Sequence, residues 1–160
     1  MAIFISMDKI QGDVSAKGYE HWISADSLHF HISHPVNPTI AGEVRNRVAS
    51  NGEFHEMTIM KKIDAASSDL FQRACQGASI EKVIIKCLKT GKDELLDYLE
   101  YQLSKVIISS IEKHIVEEGA YEKLLLSYTR IVERITPYNE SGEASNPKSI
   151  GYNIESAETL

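Results

Sequence analysis

His29, His31 and His34 form the densest group of potential metal ligands in the chain. Two histidines at i and i+2 share one face of a strand, and such a pair can ligate a metal such as zinc. A complete site needs further ligands, and His21 and His55 qualify only if the fold brings them close. The same residues also suit a solvated or interface strand face, or a contact that senses pH near neutrality. The solvated or interface face is the reading adopted, so no metal and no cofactor is expected. Asp64 and Ser67 are spaced for acid–base work, but their place ahead of a helical pattern makes them a turn residue and a cap. The acidic residues Asp93, Glu94, Asp97 and Glu100 read as a solvated face. The sequence has no Gly-rich phosphate loop, nucleophile elbow, H-E-x-x-H or C-x-x-C. No catalytic residue is assigned, and an enzyme is not expected.

The element that positions Asp64 and Ser67 spans residues 58–77, TIMKKIDAASSDLFQRACQG. Its first half alternates, Thr58, Met60 and Lys62 against Ile59, Lys61 and Ile63, as a strand does. Ser67 then suits an N-cap, Asp69 complements the dipole of the first turn, and Gly77 suits the left-handed stop. Leu70, Phe71, Ala74 and Cys75 form one apolar stripe on a helix of about residues 67–76. Its polar face carries Gln72, Arg73 and Gln76. Cys75 and Cys87 read as two small buried hydrophobes, with no disulfide required.

The remaining pattern is largely that of strands. Ile3, Ile5 and Met7 alternate in a first strand, and 11–18 is a polar loop. Residues 22–33 form a strand region with Leu28, Phe30 and Ile32 on one face and His29 and His31 on the other. Trp22 reads as a core or interface anchor. Residues 34–52 break the pattern with Pro35 and Pro38, and a stretch of this length is either a dock for a partner chain or disorder. A strand through Val83, Ile85 and Cys87 leads to a hairpin turn at 90–93. Leu95, Leu99, Leu103 and Val106 have helical spacing, whereas Tyr101 and 106–108 favour strand, so periodicity predicts helix first and strand after. A last long strand follows through Leu124, Leu126, Tyr128, Arg130 and Val132. Beyond Pro137 the chain is a polar tail, with Ile150, Tyr152 and Ile154 as its possible anchors. Strands so spaced, with one short helix, suggest a β-sandwich or small barrel, since parallel α/β sheets need more crossover helices.

With 160 residues, 25% charged and 42% hydrophobic, the composition is that of an ordinary soluble domain able to bury one core. The net charge of −6, without any Lys/Arg run, argues against nucleic acid or an anionic membrane as partner. No segment reaches the roughly 18 apolar residues of a membrane span. The N-terminus lacks a signal-peptide pattern, so the expectation is folding in the cytoplasm and export by a route that accepts folded protein.

Three stretches together resemble the haemolysin co-regulated protein (Hcp) family, the tube protein of type VI secretion. KGYEHWI at 17–23 is similar to its K-G-x-x-x-W-I. TIMKKIDAASSDLF is similar to T-x-x-K-x-x-D-x-A-S-P-x-L-F. YLEYQLSKVIISS at 98–110, followed by LLLSYTRI at 124–131, resembles Y-x-x-Y-x-L-x-x-V-x-V-S-S and the closing L-x-Y-x-x-I. Trp22, Asp64, Ser67, Leu70, Phe71 and Gly77 are the structural positions of these motifs. Ser68 replaces a usual proline, Glu133 a frequent tryptophan and Ile135 a frequent aromatic. The tail's 151–154 looks like a variant of a late G-W-[DN]-L.

The resemblance implies a mainly β fold: a partly closed β-barrel of two antiparallel sheets, one flanking helix at about 67–76, and an extended loop at about 35–52. It favours strand throughout 98–110. It implies one Hcp-like domain over 1–160, with a polar tail from about 138 and no fused effector domain. The implied function is structural: six copies form a ring, and rings stack into a hollow tube that carries effectors. Implied partners are the chain itself, a spike protein, a contractile sheath and effector cargo, with no nucleic acid and no membrane insertion. The implied location is the cytoplasm before assembly and then the outside of the cell, reached without a signal peptide. Arg45, Arg47 and Asn51 in the loop, with Gln72, Arg73 and Gln76 on the helix, are the expected subunit or ring contacts. A cargo-binding adaptor that forms rings without being the main tube component is the alternative.

Overall fold

The computed structural model describes residues 1–35, 52–91 and 94–160. The fold is mainly β, with two antiparallel sheets, one short helix and no closed barrel among the described residues.

The first sheet grows from β1 (Ala2–Met7), which pairs with β2 (Ile23–Ala25) on one side and β7 (Ile80–Thr90) on the other. Strand β7 pairs with β8 (Leu95–Val116), and β8 with β10 (Arg130–Ile135). The polar tail adds β11 (Lys148–Asn153) and β12 (Glu158–Thr159). The path thus ends on β2 and β12, strands of three and two residues. In the second sheet, β9 (Gly119–Ser127) lies between β6 (Met57–Lys62) and the far half of β8, and β3 (Ser27–His29) pairs with β6. A separate two-residue pair joins β4 (Ile32–Ser33) to β5 (Glu53–Phe54).

Strand β8 is 22 residues long and belongs to both sheets. Its first half, through Val106, pairs with β7 and β10, and from Ile107 onward it pairs with β9. The passage between sheets falls at Lys105, whose φ of 50° lies in the left-handed region. A second irregularity follows between Ile108 and Ser110. Each irregularity shifts the side-chain alternation by one residue. The inward residues are therefore Tyr101, Leu103, Val106, Ile108 and Ile111, with gaps of three where a regular strand has two. Those gaps imitate a helical period. The helix predicted for the first part of this segment is strand, as the family resemblance implied for 98–110.

Three further expectations change. The long strand predicted through 124–132 is broken at Tyr128 and Thr129, which hand the chain from one sheet to the other. The tail is not merely anchored by side chains, because it extends the first sheet by backbone pairing to β10. The region 22–33 holds three short strands rather than one, and the predicted turn at 90–93 lies partly outside the described residues. The core lies between the sheets and contains Ile5, Ile23, Ile85, Leu103, Leu124 and Leu126, all fully buried.

The loop before β2 packs close to its strand. A Cβ added at Gly12 would lie 2.5 Å from the carbonyl oxygen of Trp22 and 2.7 Å from Ile23 Cα, both backbone atoms. Gly18 has open space around it but a φ of 85°. Gly12→Ala should therefore destabilise by about 2–3 kcal/mol through forced displacement of the loop. Gly18→Ala should cost about 1 kcal/mol through backbone strain alone. Urea unfolding of both variants checks this order.

Candidate functional site

The residues of the 58–77 stretch converge on one buried charge. Lys61 in β6 stands directly opposite Glu122 in β9, and both side chains are 0% exposed. Lys61 Nζ donates to Glu122 Oε1 at 2.7 Å, to Asp64 Oδ1 at 2.7 Å and to the Lys62 carbonyl at 2.7 Å. It also lies 3.3 Å from Ser67 Oγ. Ser67 donates its hydroxyl to Glu122 Oε1 at 2.7 Å. The second carboxylate oxygen, Oε2, is buried without a hydrogen bond, and Lys113 Nζ stands 3.6 Å from it. Burial pushes the Glu122 pKa up, but the hydrogen bonds from Lys61 and Ser67, with the charges of Lys61 and Lys113, outweigh it. The carboxyl is held below its ordinary range.

This network revises the role of Ser67. Helix α1 (Ser67–Gln76) is preceded by Ala66, which makes no side-chain cap bond, and Ser67 is already its first residue. Asp64 supplies the cap chemistry, its Oδ1 accepting from Ala66 N–H at 3.0 Å. Ser67 Oγ reciprocates by accepting from Asp64 N–H at 3.0 Å. Ser67 faces inward because its hydroxyl bridges the helix to Glu122. At the other end Gly77 closes the helix at φ 61° and ψ 21°, as expected.

The predicted apolar stripe is narrower than expected. Leu70 is fully buried and Ala74 packs against the core, whereas Phe71 is 53% exposed and Cys75 is exposed. Cys87 is buried, so the expectation of two buried cysteines holds for one. The helix rotates to place Ser67 and Leu70 inward, and that turns Phe71 outward. Lys113 Nζ stands 5.5 Å from the centre of its ring.

Phe71 is one member of an apolar rim. Ile115 at 78% and Val116 at 54% exposure form the tip of the β8–β9 hairpin, and Ile63 donates its N–H to the carbonyl of Ala120, which pairs with Ile115. Gln72 and Gln76 are exposed on α1, and Arg73 is half-buried. Arg45, Arg47 and Asn51 lie outside the described residues. Trp22 is half-buried and meets Tyr19 edge-on, with ring centres 5.2 Å apart.

Among the described residues, no group of three or more metal-ligating side chains gathers. His31 and His55 stack at 4.5 Å, and His55 Nε2 shares a 2.8 Å hydrogen bond with Ser33 Oγ. His29 is exposed and pairs with Thr58. Sequence reasoning marked Lys61 only as the lysine of the T-x-x-K motif, not as a buried charge, and did not mark Glu122. Their signal was present: a lysine on the inward parity of β6, beside Ile59.

Replacing Lys61 by Met leaves Glu122 buried without its cation and should cost about 3–5 kcal/mol in denaturant unfolding. The double variant Lys61→Met/Glu122→Leu should recover part of that loss, because two apolar groups need no partner. A carboxylate held low in the fold contributes stability that is present above its unfolded value of about 4.3 and is lost as pH falls through its folded value. Stability measured against pH should thus fall on that acid limb in the native chain. The limb should be shallower in Glu122→Gln.

The fold is shared with solved structures at low sequence identity. A type six secretion system protein superposes with a TM-score of 0.90 over 99% of both chains, at 16% identity. Hcp1 from Salmonella typhimurium gives 0.78, covering 99% of this chain and 98% of that one, at 20% identity. A type VI secretion system effector from Yersinia pestis gives 0.74, covering 95% and 99%, at 19% identity. None of the curated proteins compared matches the chain in sequence. A family model described as type VI secretion system effector, Hcp, matches residues 4–134. Across that span, and in the Lys61, Asp64 and Ser67 positions that hold the helix to the sheets, the chain belongs to the Hcp family.

Proposed function

We propose that this chain is a ring-forming tube subunit of a type VI secretion system, structural rather than catalytic. Its rings would stack into a hollow tube, carry effector cargo, and leave the cell through the apparatus without a signal peptide. The spike protein, the contractile sheath and further copies of the chain are its partners in this reading.

The observation that carries the proposal beyond family membership is the apolar rim. Phe71, Ile115, Val116 and Ile63 expose large apolar surface at one end of the molecule, around the β8–β9 tip and α1. Large apolar side chains left exposed near one hairpin tip suit a surface that a partner covers. A closed ring needs a heterologous contact, one patch of each subunit against a different patch of the next. The rim supplies one such patch. Gln72, Arg73 and Gln76 border it from the helix, and Arg45, Arg47 and Asn51 are assigned to subunit or ring contacts on the family resemblance. A cargo-binding adaptor that forms rings is the second reading, favoured by the acidic, aromatic-lined cavity at Glu133.

Light scattering on the purified protein should give six times the 17.9 kDa chain mass, and negative-stain images should show rings. A monomer at high concentration, without rings, overturns the proposal. Phe71→Glu and Ile115→Glu should dissociate the ring while leaving thermal unfolding of the released subunit cooperative. Intact rings in both variants would remove the rim from the interface. Charge reversal at Arg45 and Arg47 together should weaken stacking or ring contacts, and unchanged assembly and secretion would end their assignment.

A further inference from the structure

The inward face of the first sheet continues from β8 across β10 and β11. One row of cross-strand partners is Leu103, Ile131 and Tyr152, and the next is Tyr101, Glu133 and Ile150. Five of these six residues are apolar or aromatic. Glu133 is a carboxylate on a face patterned for burial, while Arg130 and Arg134 alternate to the opposite face.

Aromatic rings share a cavity with this carboxylate. Phe30 leans on Tyr101 with centres 5.6 Å apart, and Phe54 stacks on Tyr152 at 4.5 Å and 19°. Between them lies a cavity of about 230 Å³ lined by Phe30, Phe54, Tyr152, Ile131, Ile150 and Glu133. Tyr101 is buried and stands opposite Glu133 in the sheet, and burial first, then the neighbouring carboxylate, push the phenol's pKa up. Among the described residues, no lysine or arginine forms an ion pair with Glu133.

We propose that this cavity is a binding site for an arginine side chain presented by a partner protein. A guanidinium is planar and weakly hydrated, stacks on aromatic faces, and meets a carboxylate as a two-pronged donor. The cavity's lining holds each of those partners, aromatic rings and one carboxylate. An apolar side chain would instead remove water from the carboxylate without replacing its hydrogen bonds. A lysine would match the charge but forgo the planar stacking. The net charge of −6 favours the approach of a basic segment. The site is complete within one chain and does not depend on ring formation.

The test uses the full chain with labelled isoleucine methyl groups, so that Ile131 and Ile150 report from the cavity. N-acetyl-arginine amide should shift both signals saturably in the millimolar range. The lysine analogue should bind several-fold more weakly. The citrulline analogue, neutral and nearly isosteric, should bind at least tenfold more weakly. Glu133→Gln should weaken arginine binding at least tenfold with unchanged thermal unfolding, and Phe54→Leu should weaken it through loss of stacking. Equal binding of arginine and citrulline, undiminished binding by Glu133→Gln, or no saturable shift at these methyls overturns the proposal. Light scattering on the same samples keeps the two proposals apart. Arginine binding without rings removes the tube role alone, and rings without arginine binding remove this site alone.

Discussion

The Lys61–Glu122 ion pair is the constraint to which the helix and the second sheet both answer. Two opposite charges withdrawn from water lose hydration that their mutual attraction only partly restores, and the remaining hydrogen-bonding capacity has to be met nearby. Here Asp64, Ser67 and the Lys62 carbonyl meet most of it, which fixes the turn after β6 and the rotation of α1 about its axis. The helix packs along β8 at the angle that keeps Ser67 over Glu122. Phe71 on the surface is then a by-product of Ser67 in the interior. Such a pair adds little net stability over well-packed apolar residues, but it tolerates few alternative arrangements.

That constraint also accounts for the sequence pattern. The spacing from Lys61 through Asp64 to Ser67 carries the family resemblance, and Asp64 and Ser67 both meet the ammonium group that Lys61 supplies. The resemblance and the chemistry are two descriptions of one local structure.

How much of this was legible in the sequence depended on whether a signal was local. The strand-then-helix unit, its glycine stop and the mainly β character were legible, because alternation and capping act over a few residues. Ser67 was recognised as important and given the wrong partner, since its partner lies 55 residues away in β9. The first half of β8 was misread because Leu95, Leu99 and Leu103 recur every four residues, as on a helix face, and the irregularity at Lys105 adds a gap of three to Val106. The tail strands were missed because they are held by backbone pairing to β10, and backbone bonds leave no mark on composition. Glu133 stood out only as a departure from a family pattern. Its aromatic surroundings come from four segments that meet in the fold.

The sheet edges carry a consequence for strand addition by another chain. The path through the first sheet ends on strands of three and two residues, and β3 ends the second sheet with three. These three edges offer few unpaired backbone groups, so a neighbouring chain gains little by adding a strand to them, whereas the fourth edge, residues 107–116 of β8, pairs among the described residues with β9 alone. Strand addition has no built-in stopping point and leads to open-ended fibres. Contacts made through side chains on fixed faces have a defined geometry and can close on themselves. Truncating three of four edges leaves strand addition a single stretch of backbone on which to begin.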